Sequence, residues 1–97
     1  MTIYYLDSSA IVKRYVDEPG SSWVRQICDT VDTESGEKVN YITIGEIAVT
    51  EVASAFAILV RRDLISKRSG EHAYEKFIGE FKDEYGLITV TSDLLLS

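Results

Sequence analysis

Ile3-Tyr4-Tyr5-Leu6-Asp7-Ser8-Ser9-Ala10-Ile11-Val12 is an apolar run, then an acid with two hydroxyls, then the start of helical spacing. The apolar run is too short for a helix and reads as a strand. Ile11, Val12, Tyr15 and Val16 then fall on one side of a helix over Ser8–Val16. Asp7 therefore stands between a strand and a helix, where ligands gather in open α/β sheets. A second acid, Glu51, stands alone in Ile47-Ala48-Val49-Thr50-Glu51-Val52-Ala53-Ser54-Ala55-Phe56-Ala57-Ile58-Leu59-Val60. Two carboxylates in such settings point to a metal site.

Outward from that start, the chain alternates between the two periodicities. Glu18-Pro19-Gly20 breaks the first helix, since Pro and Gly together mark a turn. Ser21 or Ser22 is expected to cap a second helix with Trp23, Val24, Ile27, Cys28 and Val31 on its apolar side. Thr33–Lys38 reads as a loop and Val39–Ile44 as a second strand. Ile47–Arg62 reads as a third helix, apolar nearly all round and hence central. Ser66 is expected to cap a fourth, Lys67–Tyr85, with Ala73, Tyr74, Phe77, Ile78, Phe81 and Tyr85 on one face and Gly86 as its C-cap. Leu87–Val90 reads as a third strand. Thr91 or Ser92 then caps a new helix running into Leu94-Leu95-Leu96-Ser97. Strands alternating with helices predict an α/β fold with a parallel sheet.

Composition narrows the function. A chain of 97 residues holds one small domain. Its single cysteine, Cys28, excludes an internal disulfide and fits a reducing, cytoplasmic setting. No stretch has the apolar length of a membrane span, and the N-terminus lacks the pattern of a signal peptide. The formal net charge of −6 excludes nucleic-acid binding through a broad basic face. An RNA or DNA substrate would need a local basic strip or metal ions.

The acids carry different meanings. Asp7 serves as an N-cap or, at a strand's carboxyl end, as a ligand, with Ser8 and Ser9 as supporting hydroxyls. Glu51 has Ile47, Ala48, Ser54 and Ala55 at the helical neighbour positions, so no intrahelical cation stabilises it. It is expected to be desolvated unless a metal or a cation such as Lys13 or Arg14 binds it. Thr43-x-x-Glu46 reads as a capping box, and Asp93 as a first-turn acid favoured by the helix dipole. His72 reads as a solvated surface histidine. Arg61, Arg62, Lys67 and Arg68 form a basic cluster at a helix end, and could meet a nucleic-acid backbone. The aromatic stripe from Tyr74 to Tyr85 reads as core. Asp7 and Glu51 can hold a hard cation with water completing its shell. Carboxylate clusters of that kind usually have three or four acids.

With these residues in view, the chain resembles the PIN-domain family, and within it the VapC-like toxin ribonucleases of bacterial toxin–antitoxin pairs. The opening strand with Asp7-Ser8-Ser9-Ala10-Ile11-Val12-Lys13-Arg14-Tyr15 and Glu18-Pro19-Gly20 carries the resemblance, as do Ile47–Phe56 around Glu51 and Phe81–Thr91. It implies a three-layer α/β/α PIN-like fold with a parallel sheet, C-terminally incomplete. It also implies a metal-dependent endoribonuclease, a hydrolase using Mg²⁺ or Mn²⁺, with an RNA substrate, a small antitoxin partner and a homodimer. Asp7 would be the first metal-binding acid, Glu51 the second, and Ser8 or Ser9 the supporting hydroxyl. The family's third acid, in a Tyr-Asp-Ala-like motif, has no counterpart, so the chain resembles roughly the first two-thirds of a PIN domain. In the family sheet the first strand is central, so Ile3–Leu6 is expected to lie at an open edge here.

Two other classes compete. A non-catalytic PIN fragment would keep a protein-binding or dimerisation surface without the full acid set. A phosphatase or receiver domain also places Asp after its first strand, but haloacid-dehalogenase phosphatases carry a second Asp two residues on, where this chain has Ser9. No Ser-His-Asp or Cys-His set is present for a side-chain nucleophile. The hydrolysis implied uses water activated at a metal held by Asp7 and Glu51.

Overall fold

Short apolar runs between amphipathic ones give the order β1 (Thr2–Leu6), α1 (Ser8–Tyr15), α2 (Ser21–Asp29), β2 (Asn40–Gly45), α3 (Glu46–Arg61), α4 (Lys67–Asp83) and β3 (Tyr85–Ile88). The computed structural model describes residues 2–88. The strands pair in parallel in the order β1-β2-β3, and a helix pair carries each crossover, as parallel pairing requires. The fold is thus mixed α/β, with a three-stranded parallel sheet and four helices, compatible with a small α/β/α arrangement. The expected strand residues Thr89 and Val90, the caps Thr91 or Ser92, Asp93 and Leu94–Leu96 lie outside the described residues. Among the described residues, no helix is long and apolar enough to cross a membrane.

Register decides which side chains are buried. Leu6 pairs with Ile44, and Ile42 with Tyr85, so these four share one face of the sheet. All four belong to a single buried cluster with Ile11, Val12, Val24, Ile27, Val52, Phe56 and Phe77 of the helices. Burying one such aliphatic or aromatic side chain contributes about 1.5–3 kcal/mol, so this cluster is the main source of stability. Cys28 is buried within it, and burial pushes its thiol up to about 11, which leaves it unreactive.

The alternate residues face the other way. Ile3 is 67% exposed, Tyr5 60% and Tyr41 43%. Tyr5 lies over Gly45 and Tyr41 over Gly86, where a Cβ would stand 2.7 and 2.6 Å from the phenolic oxygens. Glycine on the neighbouring strand lets each ring lie flat along the sheet, the diagonal contact that long side chains can reach. Among the described residues β1 is an edge strand.

The helix ends differ in detail from the sequence reading. Ser21 does not cap α2. The cap is Gly20, at φ +94°, a left-handed conformation that favours glycine. The Ser21 hydroxyl instead accepts the Glu18 N–H at 2.8 Å and donates to the Val16 carbonyl at 3.0 Å, closing the Pro19 turn. Thr43 and Glu46 do not form a capping box. Thr43 lies in β2 and donates to the Tyr4 carbonyl at 3.1 Å, while Gly45 takes the cap position of α3. Gly86 is not a C-cap either: α4 ends at Asp83 with Glu84 as its C-cap, and Tyr85-Gly86 already belongs to β3. Sheet pairing with β2 outweighs the local helix signal there. Ser66 does cap α4, accepting the Ser69 N–H at 3.0 Å.

Candidate functional site

Asp7 occupies the N-cap of α1. Its Oδ1 accepts the Ala10 N–H at 2.9 Å and the Ser9 hydroxyl at 2.9 Å. The backbone bond from Ala10 is the main cause holding its carboxyl below the usual aspartate value, and the Ser9 bond adds to it. The side chain is exposed and ionised at neutral pH. The cap's contribution to stability is therefore complete above the ordinary aspartate range and is lost as pH falls through the lowered value. The second oxygen, Oδ2, makes no hydrogen bond among the described residues. Ser9 thus orients the carboxylate. Ser8, the first residue of α1, is half-buried and makes no side-chain hydrogen bond among the described residues.

Glu51 requires a correction. It was expected to be desolvated on a helix apolar all round, but it is exposed. The reason is that α3 buries only one stripe, Ala48, Val52 and Phe56. Its other side faces outward, leaving Ile47 74% exposed and Ile58 38%. The proposed cation partners are also engaged elsewhere. Lys13 pairs with Glu18 at 3.6 Å, and Arg14 is buried among other acids. Glu51 has no ion pair or side-chain hydrogen bond among the described residues. Replacing it by Gln is therefore expected to leave the urea midpoint within about 0.5 kcal/mol of wild type. A larger loss would mean that the carboxylate has a structural partner.

The sheet sets the starts of the two acid-bearing helices side by side. Leu6 pairs with Ile44, so Asp7 and Gly45 leave adjacent parallel strands side by side. Helices α1 and α3 begin immediately after them and pack on each other. Ser9 and Val12 of α1 line a cleft of about 240 Å³ with Ala55, Ile58 and Leu59 of α3 and with Glu18. Asp7 holds Ser9, and Glu51 stands one turn before Ala55. A magnesium-like ion takes one or two carboxylates with water, and Asp7 and Glu51 are carboxylates of that kind, though neither lines this cleft. No group of three or more His, Cys, Asp or Glu suited to a metal occurs among the described residues.

The basic cluster lies apart. Arg61, Arg62, Lys67 and Arg68 are all exposed, and Arg61 is ten residues beyond Glu51, about 15 Å along the helix axis. His72 is exposed, as read from the sequence. Phe77 and Tyr85 of the aromatic stripe are buried, but Tyr74 is 44% exposed. It walls a groove of about 470 Å³ between α3 and α4, floored by Ala53, Phe56, Ala57, Val60 and Gly70. That groove is larger than the α1–α3 cleft but offers only Lys67 and Glu71 as charged groups.

The sequence reading missed a polar cluster at Arg14. Its guanidinium, 5% exposed, reaches Asp29 at 2.6 Å, Glu84 at 3.0 Å and Glu80, and donates to the Tyr85 hydroxyl at 2.9 Å. The hydroxyls of Tyr15 and Tyr85 meet at 2.7 Å, and burial pushes Tyr85 up to about 12. The sequence held a signal: Arg14 is three residues after Ile11, on the buried side of α1, and Glu80 and Glu84 share a face of α4. A scan against protein-family models and a search of curated proteins found no match for the chain.

Proposed function

We propose that the chain carries part of a PIN-type, metal-dependent endoribonuclease site, in which Asp7 and Glu51 hold Mg²⁺ or Mn²⁺. The observation that carries this reading is the placement of two exposed carboxylates, neither in an ion pair among the described residues, on packed helices that leave adjacent parallel strands. When bound, such an ion supplies an activated water and offsets charge on a phosphodiester. Asp7 contributes an ionised ligand, fixed by Ser9 and the Ala10 N–H. Glu51 contributes a second carboxylate free to turn inward. Ser8 is the alternative hydroxyl beside Asp7. RNA as substrate, a small antitoxin as partner and a cytoplasmic location belong to the same proposal. It is tested by incubating a mixed RNA panel with the chain in Mn²⁺. Cleavage lost with EDTA and with Asp7→Asn supports it. A folded chain that cleaves nothing above control contradicts it.

The second reading is a catalytically inactive protein-binding or dimerisation module. The β1 edge, unpaired among the described residues, and the exposed Ile3, Tyr5 and Tyr41 face favour it, because unpaired strand edges invite pairing. On that reading a homodimer shields the edge. Size-exclusion chromatography with light scattering is expected to show a dimer, and a well-behaved monomer would count against it.

A further inference from the structure

Glu80 presents an unusual arrangement. Its Oε2 meets Arg14, while its Oε1 is buried with no hydrogen-bond partner among the described residues. A buried polar oxygen left bare is unfavourable and rare. The groups facing it come from every neighbouring element. They are Arg14 and Tyr15 of α1, Cys28 and Asp29 of α2, Lys38 ahead of β2, Glu84 at the end of α4 and Tyr85 of β3. Lys76, one turn earlier on α4, acts only through space. In the contact network itself Arg14 and Lys38 oppose Asp29, Glu80 and Glu84. One negative charge is left over unless one acid is neutral.

We propose that Glu80 and Glu84 share one proton at neutral pH, carried on Glu80 and donated toward Glu84, so that the cluster is a proton-dependent tie joining α4 to α1 and α2. A proton on Glu80 balances the network and turns its bare oxygen into a donor. Glu80 and Glu84 are held on the same Arg14 nitrogen, and like-charged carboxyls that share a site settle with one ionised and one not. The directions agree. Burial pushes Glu80 up, against the pull of Arg14, and the bond to Glu84 adds to the rise. Burial also pushes Glu84 up, but hydrogen bonds from Arg14 and Glu80 outweigh it and bring Glu84 below its ordinary value. A carboxyl raised by folding stabilises the fold fully below its unfolded value, and that contribution is lost as pH rises through its folded value. The tie therefore weakens toward alkaline pH.

The test is a ¹³C carboxyl NMR titration of the full chain, with urea midpoints for Glu80→Gln. The Glu80 resonance is expected to titrate above the ordinary glutamate range and to shift downward in Glu84→Gln. The amide of Glu80→Gln mimics the protonated acid, so this variant should match the wild-type midpoint below the pH at which the Glu80 resonance titrates and exceed it above that pH. Titration of Glu80 in the ordinary range overturns the proposal, and the wild-type chain alone suffices for that result. An unchanged Glu80 titration in Glu84→Gln, or a Glu80→Gln midpoint well below wild type at pH 7, overturns it equally.

Discussion

Replacing Arg14 by alanine is expected to destabilise the fold by roughly 3 kcal/mol, at the lower end of the range for breaking a buried ion pair. Among the described residues, Arg14 is the one group that touches Asp29, Glu80, Glu84 and Tyr85 together. The side chains of Asp29 and Glu84 are 50% and 34% exposed and can recover water, whereas Glu80 is 18% exposed and cannot. Partial rehydration keeps the loss at the low end. A domain this small has a total stability of about 5–15 kcal/mol, so the variant should be partly unfolded on mild heating. Arg14→Lys keeps the charge but not the planar fork that serves several oxygens at once, and it should fall between wild type and alanine. Urea unfolding monitored by circular dichroism checks this through the midpoint at constant slope. An alanine midpoint shifted by no more than a surface substitution would contradict the assignment of Arg14 as the centre of the cluster.

Asp7→Asn should separate two roles that coincide in one residue. Asn caps helices about as well as Asp, so the fold should persist with little change in midpoint. Asp7→Ala, by contrast, removes the cap and should cost about 1 kcal/mol. What Asn cannot supply is the charge. On the metal reading, losing an anionic ligand removes several kcal/mol of charge stabilisation, or about a hundredfold or more in rate. Asp7→Asn should therefore abolish Mn²⁺-dependent RNA cleavage in a chain that remains folded. An Asn variant that cleaves at the wild-type rate would leave Asp7 as a cap alone.

The α/β order was legible because strand and helix periods alternate cleanly: Ile3–Leu6 is short and apolar, and Ile11, Val12 and Val16 recur at helical spacing. The edge position of β1 followed from the resemblance, not from any residue of the strand itself. Asp7 was legible as an N-cap, and the bond it accepts from the Ala10 N–H forms that cap. The environment of Glu51 was not legible. An apolar helical stretch looks the same whether its outer side is covered or exposed, and Ile47 and Ile58 are exposed. The Arg14 cluster escaped because Asp29, Glu80, Glu84 and Tyr85 lie 15 to 71 residues along the chain from Arg14 and meet only through tertiary packing. Gly86 was misread because glycine favours a helix C-cap and a strand position under Tyr41 alike, and sheet pairing decided between them.

The central claim is that Asp7 and Glu51 serve one divalent ion. The most direct test is Mn²⁺ binding followed by electron paramagnetic resonance, on the wild-type chain, Asp7→Asn and Glu51→Gln, each shown to be folded. The expected result is saturable binding to wild type, weakened in both variants and competed by Mg²⁺. Equal binding to all three chains, or no binding to any, would contradict it.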